Sequence, residues 1–150
     1  MNSSRTRGAT LALTLAATAV AALSLTGCTS IQQAIQDESS GTYADADALA
    51  ENWNKTAPWL PDDASEISMH QTVNGDPASL LLTSDADLDL SQCAEVERQS
   101  APTFAIEGAP NAYKIDTVYA CGDWAVVPTD DGWYGWTPND PDEKAASPAQ

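Results

Sequence analysis

The chain has 150 residues and carries six Lys and Arg against 22 Asp and Glu, a formal net charge of −16. Nucleic-acid binding requires a basic surface that neutralises phosphates, and so few cations do not supply one; the same acidity disfavours docking on anionic lipid headgroups. The acids are expected to keep the protein soluble and unassociated, and with a single histidine no metal or other cofactor is predicted.

Residues 1–27 are predicted to be an export signal that is removed. Arg5 and Arg7 precede an uncharged run, residues 9–25, made almost wholly of Ala, Leu, Val and Thr, which is the arrangement of a secretory signal peptide. One residue separates the two arginines, so the twin-arginine export signal is absent. Two alternatives stay open: an uncleaved membrane span near the lower length limit, and Cys28 as an ordinary secreted cysteine.

The segment Leu25-Thr26-Gly27-Cys28 resembles the lipobox of bacterial lipoproteins. The resemblance implies a diacylglycerol thioether on Cys28 and a cleavage that makes Cys28 the new N-terminus. Two acyl chains hold a protein on a membrane stably, at about 0.8 kcal/mol per buried CH₂. We therefore expect a protein that is lipid-anchored at the extracytoplasmic face of the cell membrane. Loss of both signal arginines leaves four basic residues against 22 acids, a formal charge of −18.

Three segments are predicted beyond the signal. Residues 28–41 are expected to be the lipidated cysteine and a flexible polar tether, because Ile31 and Ile35 are the only sizeable apolar residues there. Residues 42–138 are expected to form one small domain. Residues 139–150 contain no large apolar side chain and are expected to be a disordered acidic tail.

Two cysteines, Cys93 and Cys121, are left once Cys28 carries lipid. Outside the cytoplasm such a pair is expected to oxidise, and the disulfide contributes roughly 3–4 kcal/mol in the chain-entropy model. A thiol-redox role is disfavoured because no C-x-x-C spacing exists. With the bias towards Ala and Asp, the arrangement of Cys93 and Cys121-Gly122-Asp123-Trp124 is similar to small actinobacterial lipoproteins, a resemblance that implies no activity.

One amphipathic helix is predicted at the start of the domain. Thr42 is a suitable N-cap, and Pro58 ends the helix. The apolar residues that recur at helical spacing are Ala46, Leu49, Ala50, Trp53 and Ala57.

Strand patterns follow the helix. Residues 68–73 and 78–90, joined by a turn, are predicted to form one β-hairpin. Residues 113–127 alternate bulky side chains, and a loop at residues 128–132 leads into residues 133–136, which predicts a second hairpin. The predicted fold class is α+β: one amphipathic helix packed on a small antiparallel β-sheet of about four strands, with one disulfide.

Aromatic residues of the second hairpin are the candidate binding surface. Trp133, Tyr134 and Trp136 cannot all face one side of a regular strand, so some face outward unless a second layer covers them. Exposed aromatic rings among polar groups suit stacking on sugars or contact with a partner protein. The alternative is that both faces are packed.

A calcium site is a weaker candidate. Asp85, Asp87 and Asp89 alternate along the predicted second strand, but the EF-hand pattern fails because Leu90 stands where Gly belongs and Val96 where the bidentate Glu belongs. The alternative is the solvated face of a strand.

No catalytic residues are predicted. His70 is the single histidine, and no serine lies in a G-x-S-x-G context. The sequence favours a non-enzymatic, membrane-anchored binding or interaction module, with a cell-wall glycan or a surface protein as its partner and no nucleic acid. Two alternatives stay open: an envelope hydrolase that uses a carboxylate pair or His70, and a structural envelope spacer.

Overall fold

The computed structural model describes residues 37–148. The predicted signal peptide, Cys28 and most of the predicted tether lie outside the described residues. Among the helices of residues 37–148, none has the length and apolar character needed to span a bilayer.

The fold is one antiparallel β-sheet of seven strands with two short α-helices. The strands lie in the order β1-β2-β3-β7-β6-β5-β4, so the last strand of the chain joins an N-terminal and a C-terminal group of three. The helices are α1 (Ala46–Asn52) and α2 (Pro141–Ala146). The strands are β1 (Glu38–Asp45), β2 (Ser65–Thr72), β3 (Ala78–Thr83), β4 (Ala94–Glu97), β5 (Thr117–Cys121), β6 (Trp124–Pro128) and β7 (Gly132–Thr137).

The predicted α+β class with about four strands is wrong, because the protein is mostly β. The sequence pattern assigns the residues of β1 to the tether and the start of the helix, and it does not predict β4. Both strands contain few apolar residues and lie at the edges of the sheet. Their extended conformation comes from hydrogen bonding to a neighbouring strand, which leaves little period-two signal in the sequence.

Helix α1 is shorter than the prediction. Its N-cap is Asp45, which accepts a hydrogen bond from the Ala48 N–H at 2.8 Å, whereas Thr42 pairs with β2 inside β1. The helix ends at Trp53, whose backbone is extended and whose indole N–H donates to the Gln71 side chain. That tertiary contact overrides the helical periodicity that continues towards Ala57.

The two predicted hairpins are present, with different bounds. Strands β2 and β3 pair antiparallel, but β3 ends at Thr83 and not at residue 90. There the Ser84 hydroxyl and the Asp85 N–H both donate to the Asp63 carboxylate, which draws the chain away from the sheet. Strands β6 and β7 form the second hairpin, and the predicted strand-rich segment before it divides into a 3₁₀ turn, β5 and β6.

Side chains alternate between two faces of the sheet, and each face is covered. On one face, Met69, Leu80 and Val126 pack with Trp53 and Trp59; residues 53–64 cover this side, which we call the connector face. On the other face, residues 98–116 cover the sheet, and we call this side the loop face. The buried apolar cluster of the loop face consists of Ala112, Val118, Ala125, Val127, Tyr134 and Trp136.

The predicted disulfide between Cys93 and Cys121 is confirmed. Both cysteines are buried in the connector-face cluster. The bond links the residue before β4 to the last residue of β5, the strand on which β4 pairs.

The prediction of a disordered tail is wrong for residues 139–148. Helix α2 has a capping box between Asp140 and Glu143, with Pro141 in its first turn. The Glu143 side chain is 1% exposed and accepts hydrogen bonds from the N–H of Gln99 (2.5 Å) and from the N–H and hydroxyl of Ser100 (2.8 and 2.6 Å). Helix α2 is held by a buried carboxylate and not by a stripe of apolar side chains. For this reason its amino-acid composition is the same as that of a solvated tail.

Candidate functional site

Two adjoining cavities open beside the connector face at the turn between β5 and β6. Their volumes are about 440 Å³ and 420 Å³. Thr56, Asp123 and Trp124 line both of them, so we treat the pair as one site and call it the Trp124 groove. It is the candidate binding site of the described chain.

Aromatic rings form the inner wall of the Trp124 groove. Trp124 packs edge-on against Trp53, with ring centroids 6.0 Å apart, and at a tilt against Trp59 at 5.8 Å. A Cβ on Gly135 of β7 would lie 2.4 Å from Cζ2 of Trp59, so the glycine allows this ring to lie against the strand. The Trp59 indole N–H is buried and has no hydrogen-bond partner within residues 37–148, although buried indoles usually find one.

Half of the basic residues in the described part of the chain lie at this groove. Lys55 lines one cavity and Lys144 lines the other. Lys55 forms an ion pair with Asp76, and Lys144 forms one with Asp123. All four side chains are partly exposed, so these pairs contribute little to stability and are free to exchange partners. The groove is therefore charge-balanced on a protein whose net charge is −16.

The backbone that carries Asp123 is held by the C-terminal segment. The Asp123 carbonyl accepts hydrogen bonds from the Thr137 hydroxyl at 2.8 Å and from the Asn139 N–H at 3.1 Å. The Asn139 side-chain amide donates to the carbonyls of Gly122 and Trp124. These contacts position one wall of the groove before any ligand arrives, which lowers the entropy lost on binding.

Close contact between the Lys55 side chain and the backbone of a nearby turn also positions this lysine. The turn at residues 74–77 contains Gly75 with φ of +86°, and a Cβ there would lie 2.7 Å from Cε of Lys55. The lysine stem thus lies across the turn that carries Asp76. This contact places the ammonium group at the mouth of the cavity.

The aromatic residues predicted as a binding surface are mainly core. Tyr134 and Trp136 are each 1% exposed on the loop face. The Tyr134 hydroxyl donates to the Phe104 carbonyl at 3.0 Å, and the Trp136 indole to the Ser100 hydroxyl at 2.9 Å. Trp133 lies on the connector face, partly buried against Tyr119. The alternative in which both faces are packed is therefore the observed one.

The three aspartates proposed for calcium lie in a loop and not on a strand. Asp85 and Asp87 line a third cavity of about 430 Å³ together with other acids. Asp89 does not line this cavity. It accepts hydrogen bonds from Ser91 and Gln92, which lower its pKa. Residues 37–148 contain no group of three or more His, Cys, Asp or Glu side chains that could hold a metal ion, so the structure does not bring these three together.

His70 lies on β2, and none of the three cavities above includes it. Its Nε2 is 3.0 Å from the Glu38 carboxylate, and its ring stacks on Phe104 with centroids 4.3 Å apart. Ser40 lies opposite His70 in the register of β1 and β2, but no hydrogen bond joins these two side chains. His70 thus has an orienting carboxylate but no hydrogen-bonded nucleophile, which gives the His70 version of the hydrolase alternative no geometric support.

No family model, no curated protein and no solved structure matches this chain. Its function is therefore inferred from the contacts, burial and charge of its own residues.

The groove was missed in the sequence because its residues are far apart along the chain. Lys55 and Lys144 come from opposite ends of the domain, and Asp123 lies in a two-residue turn between strands. The one signal in the sequence is the scarcity of basic residues in so acidic a chain, but it does not separate Lys55 and Lys144 from Lys114, which lies outside the groove.

Proposed function

We propose that this chain is a lipid-anchored, extracytoplasmic binding module with no catalytic activity, and that the Trp124 groove holds its ligand. The anchor rests on the charged and apolar N-terminal segment and on the Leu25 to Cys28 motif. The Cys93–Cys121 disulfide supports an oxidising compartment. The binding role rests on one observation, a charge-balanced groove that concentrates lysines on an acidic protein.

The ligand that fits this groove is a polyhydroxylated molecule, a saccharide of the cell envelope. Each hydroxyl both donates and accepts hydrogen bonds, and the groove offers both kinds of partner. Asp76 and Asp123 accept, while Lys55 and Lys144 donate. A balanced charge avoids the desolvation that a strongly ionic ligand would require.

Binding of soluble N-acetylglucosamine oligosaccharides to the mature protein, purified in detergent, tests this function. Asp123→Asn and Lys55→Met each remove a charged hydrogen-bond partner, and we expect each to weaken binding by about tenfold. Asp116→Asn and Lys114→Met are matched controls, since both side chains are exposed and lie outside the groove. Equal affinities for the groove variants and the wild type, or no binding by the wild type, would refute the proposal.

Intact mass of the protein extracted from its native membrane tests the anchor. The expected species begins at Cys28, carries a diacylglyceryl group and gains the mass of two hydrogens on reduction of Cys93–Cys121. A chain that retains residues 9–25 would make that segment a membrane span and would end the lipoprotein assignment.

A further inference from the structure

The two edges of the sheet are protected to different extents. Strand β4 has four residues, two of them Glu95 and Glu97, and α2 packs against it. Strand β1 has eight residues, with no Lys or Pro and with charges only at Glu38 and Asp45. Helix α1 follows it directly and also contacts it, but Ser40 and Thr42 are exposed. Long edge strands without such protection are uncommon, because their free N–H and C=O groups pair readily with another chain.

The hydrogen-bond phase of β1 shows which groups are free. The Val73 N–H donates to the Asp37 carbonyl at 2.9 Å, and the same register continues to the end of β1. In an antiparallel pair, every second residue directs both its N–H and its C=O group towards the partner strand, and the residues between them direct both groups away from it. Ser40 and Thr42 therefore direct their N–H and C=O groups away from β2, where no described strand lies.

The charges beside β1 select the occupant of this edge. Asp37 and Glu38 lie at one end of the strand, Asp45 and Asp47 lie at the other, and the residues between are uncharged. Antiparallel pairing of two copies would bring acidic ends together on chains that each carry a charge of −16, which is destabilising. A strand with basic residues near both ends would instead place opposite charges together.

We propose that the free edge of β1 is a β-augmentation site for an extended segment of another protein that carries Lys or Arg at its ends. Main-chain hydrogen bonds to Ser40 and Thr42 supply the affinity, and the acidic ends select the cationic partner. This surface is separate from the Trp124 groove, so the protein holds a partner protein independently of its saccharide. The site does not depend on the saccharide proposal.

A blocked octapeptide that alternates valine and threonine between two terminal lysines is the probe. Added to the mature protein, it should slow hydrogen exchange of the Ser40 and Thr42 amides by about tenfold or more. The same peptide with N-methylated backbone amides should not bind, and a version with terminal glutamates should bind at least about tenfold more weakly. Equal binding of all three peptides, or protection elsewhere in the protein, overturns the proposal.

Variants of the protein complete the test. Thr42→Pro removes an outward N–H and should abolish binding; proline is tolerated at such edge positions. If this variant does not fold, Ser40→Lys decides, because its added charge should repel the lysine peptide. Thr117→Lys is the control, because it adds the same charge at an exposed position of β5, near the opposite edge of the sheet, and should not affect binding. Asp123→Asn should bind the peptide normally, which separates this site from the groove.

A dimer formed through β1 without peptide would identify a second copy as the occupant and overturn the proposal.

Discussion

The two faces of the sheet are covered by different kinds of interaction. The cover of the connector face is mainly apolar, built from Trp53 and Trp59 beside the disulfide, and hydrogen bonds of Trp53 and Asp63 hold its two ends. The cover of the loop face is held by hydrogen bonds: the Ser79 and Tyr134 hydroxyls both donate to the Phe104 carbonyl, and Glu143 binds the chain nearby. Apolar contacts fix the path of a segment less tightly than directed hydrogen bonds do. The Trp124 groove borders the connector face.

The largest expected effect is on the connector face. The double variant Cys93→Ser and Cys121→Ser removes the constraint on the unfolded chain and should lower the free energy of unfolding by about 3.5 kcal/mol. Urea denaturation monitored by tryptophan fluorescence measures this change, and reduced wild-type protein should behave in the same way. A loss below about 1 kcal/mol would mean that apolar packing alone holds this cover.

On the loop face, Glu143→Ala should lower the free energy of unfolding by about 3 kcal/mol, because it removes the acceptor of three part-buried hydrogen bonds from Gln99 and Ser100. Glu107→Ala is the control, since Glu107 is exposed and should change stability by less than about 0.5 kcal/mol. Similar effects of the two substitutions would show that hydrogen bonds do not hold this cover.

The Glu143 carboxyl also makes the loop face sensitive to acid. Burial opposes its ionisation, but hydrogen bonds from Ser100, Gln99 and Asp140 outweigh burial and lower its pKa. Its contribution should be complete above the ordinary pKa of about 4.5 and should be lost as pH falls through the lowered value. Glu143→Ala should therefore flatten the decline in stability below pH 4.5, measured by urea denaturation at several pH values; an unchanged slope would contradict this.

A smaller effect is expected where the connector meets the sheet. Gly135→Ala places a methyl group against Trp59 and should destabilise the protein by about 2 kcal/mol. Because Trp59 lines the groove, binding of the oligosaccharide probe should weaken as well. Gly41→Ala is the matched control, since its Cβ would meet the end of the Tyr43 side chain, which can move. If both variants lower stability equally, the contact with Trp59 is not the cause.

The smallest effect should come from Tyr134→Phe. Removal of its hydroxyl loses one bond to the Phe104 carbonyl, but the Ser79 hydroxyl still donates to the same oxygen. We expect a loss of about 1 kcal/mol, and the double variant with Ser79→Ala should lose more than the sum of the single variants. Strict additivity would argue against a shared acceptor.

Features with strong local signals were predictable from the sequence. The loop at residues 128–132 marked the β6–β7 hairpin, and the turn around Gly75 marked β2–β3. Cys93 and Cys121 could be paired by elimination once Cys28 was assigned to lipid. Each of these features depends on the chemistry of a few neighbouring residues or on a simple count.

The remaining features depend on contacts between distant segments. Strand β1 is extended because β2 lies beside it, and α2 is ordered because Glu143 meets residues more than forty positions earlier. The helical stripe up to Ala57 was interrupted by the contact of Trp53 with Gln71. The groove lysines lie on different elements, and no local pattern relates them. Contacts between such distant segments follow from the order of the strands in the sheet, which the sequence pattern does not reveal.

The order of the strands also separates the two ends of the described chain. Strand β1 lies at one edge of the sheet, and α2 packs at the opposite edge, beside β4. Six interstrand spacings of about 4.8 Å correspond to roughly 29 Å along the sheet. A fluorescent reporter fused after residue 148 would therefore stand about one domain width from residue 37. Under the lipid-anchor proposal, energy transfer from this reporter to a dye in the membrane would report how the domain is tilted.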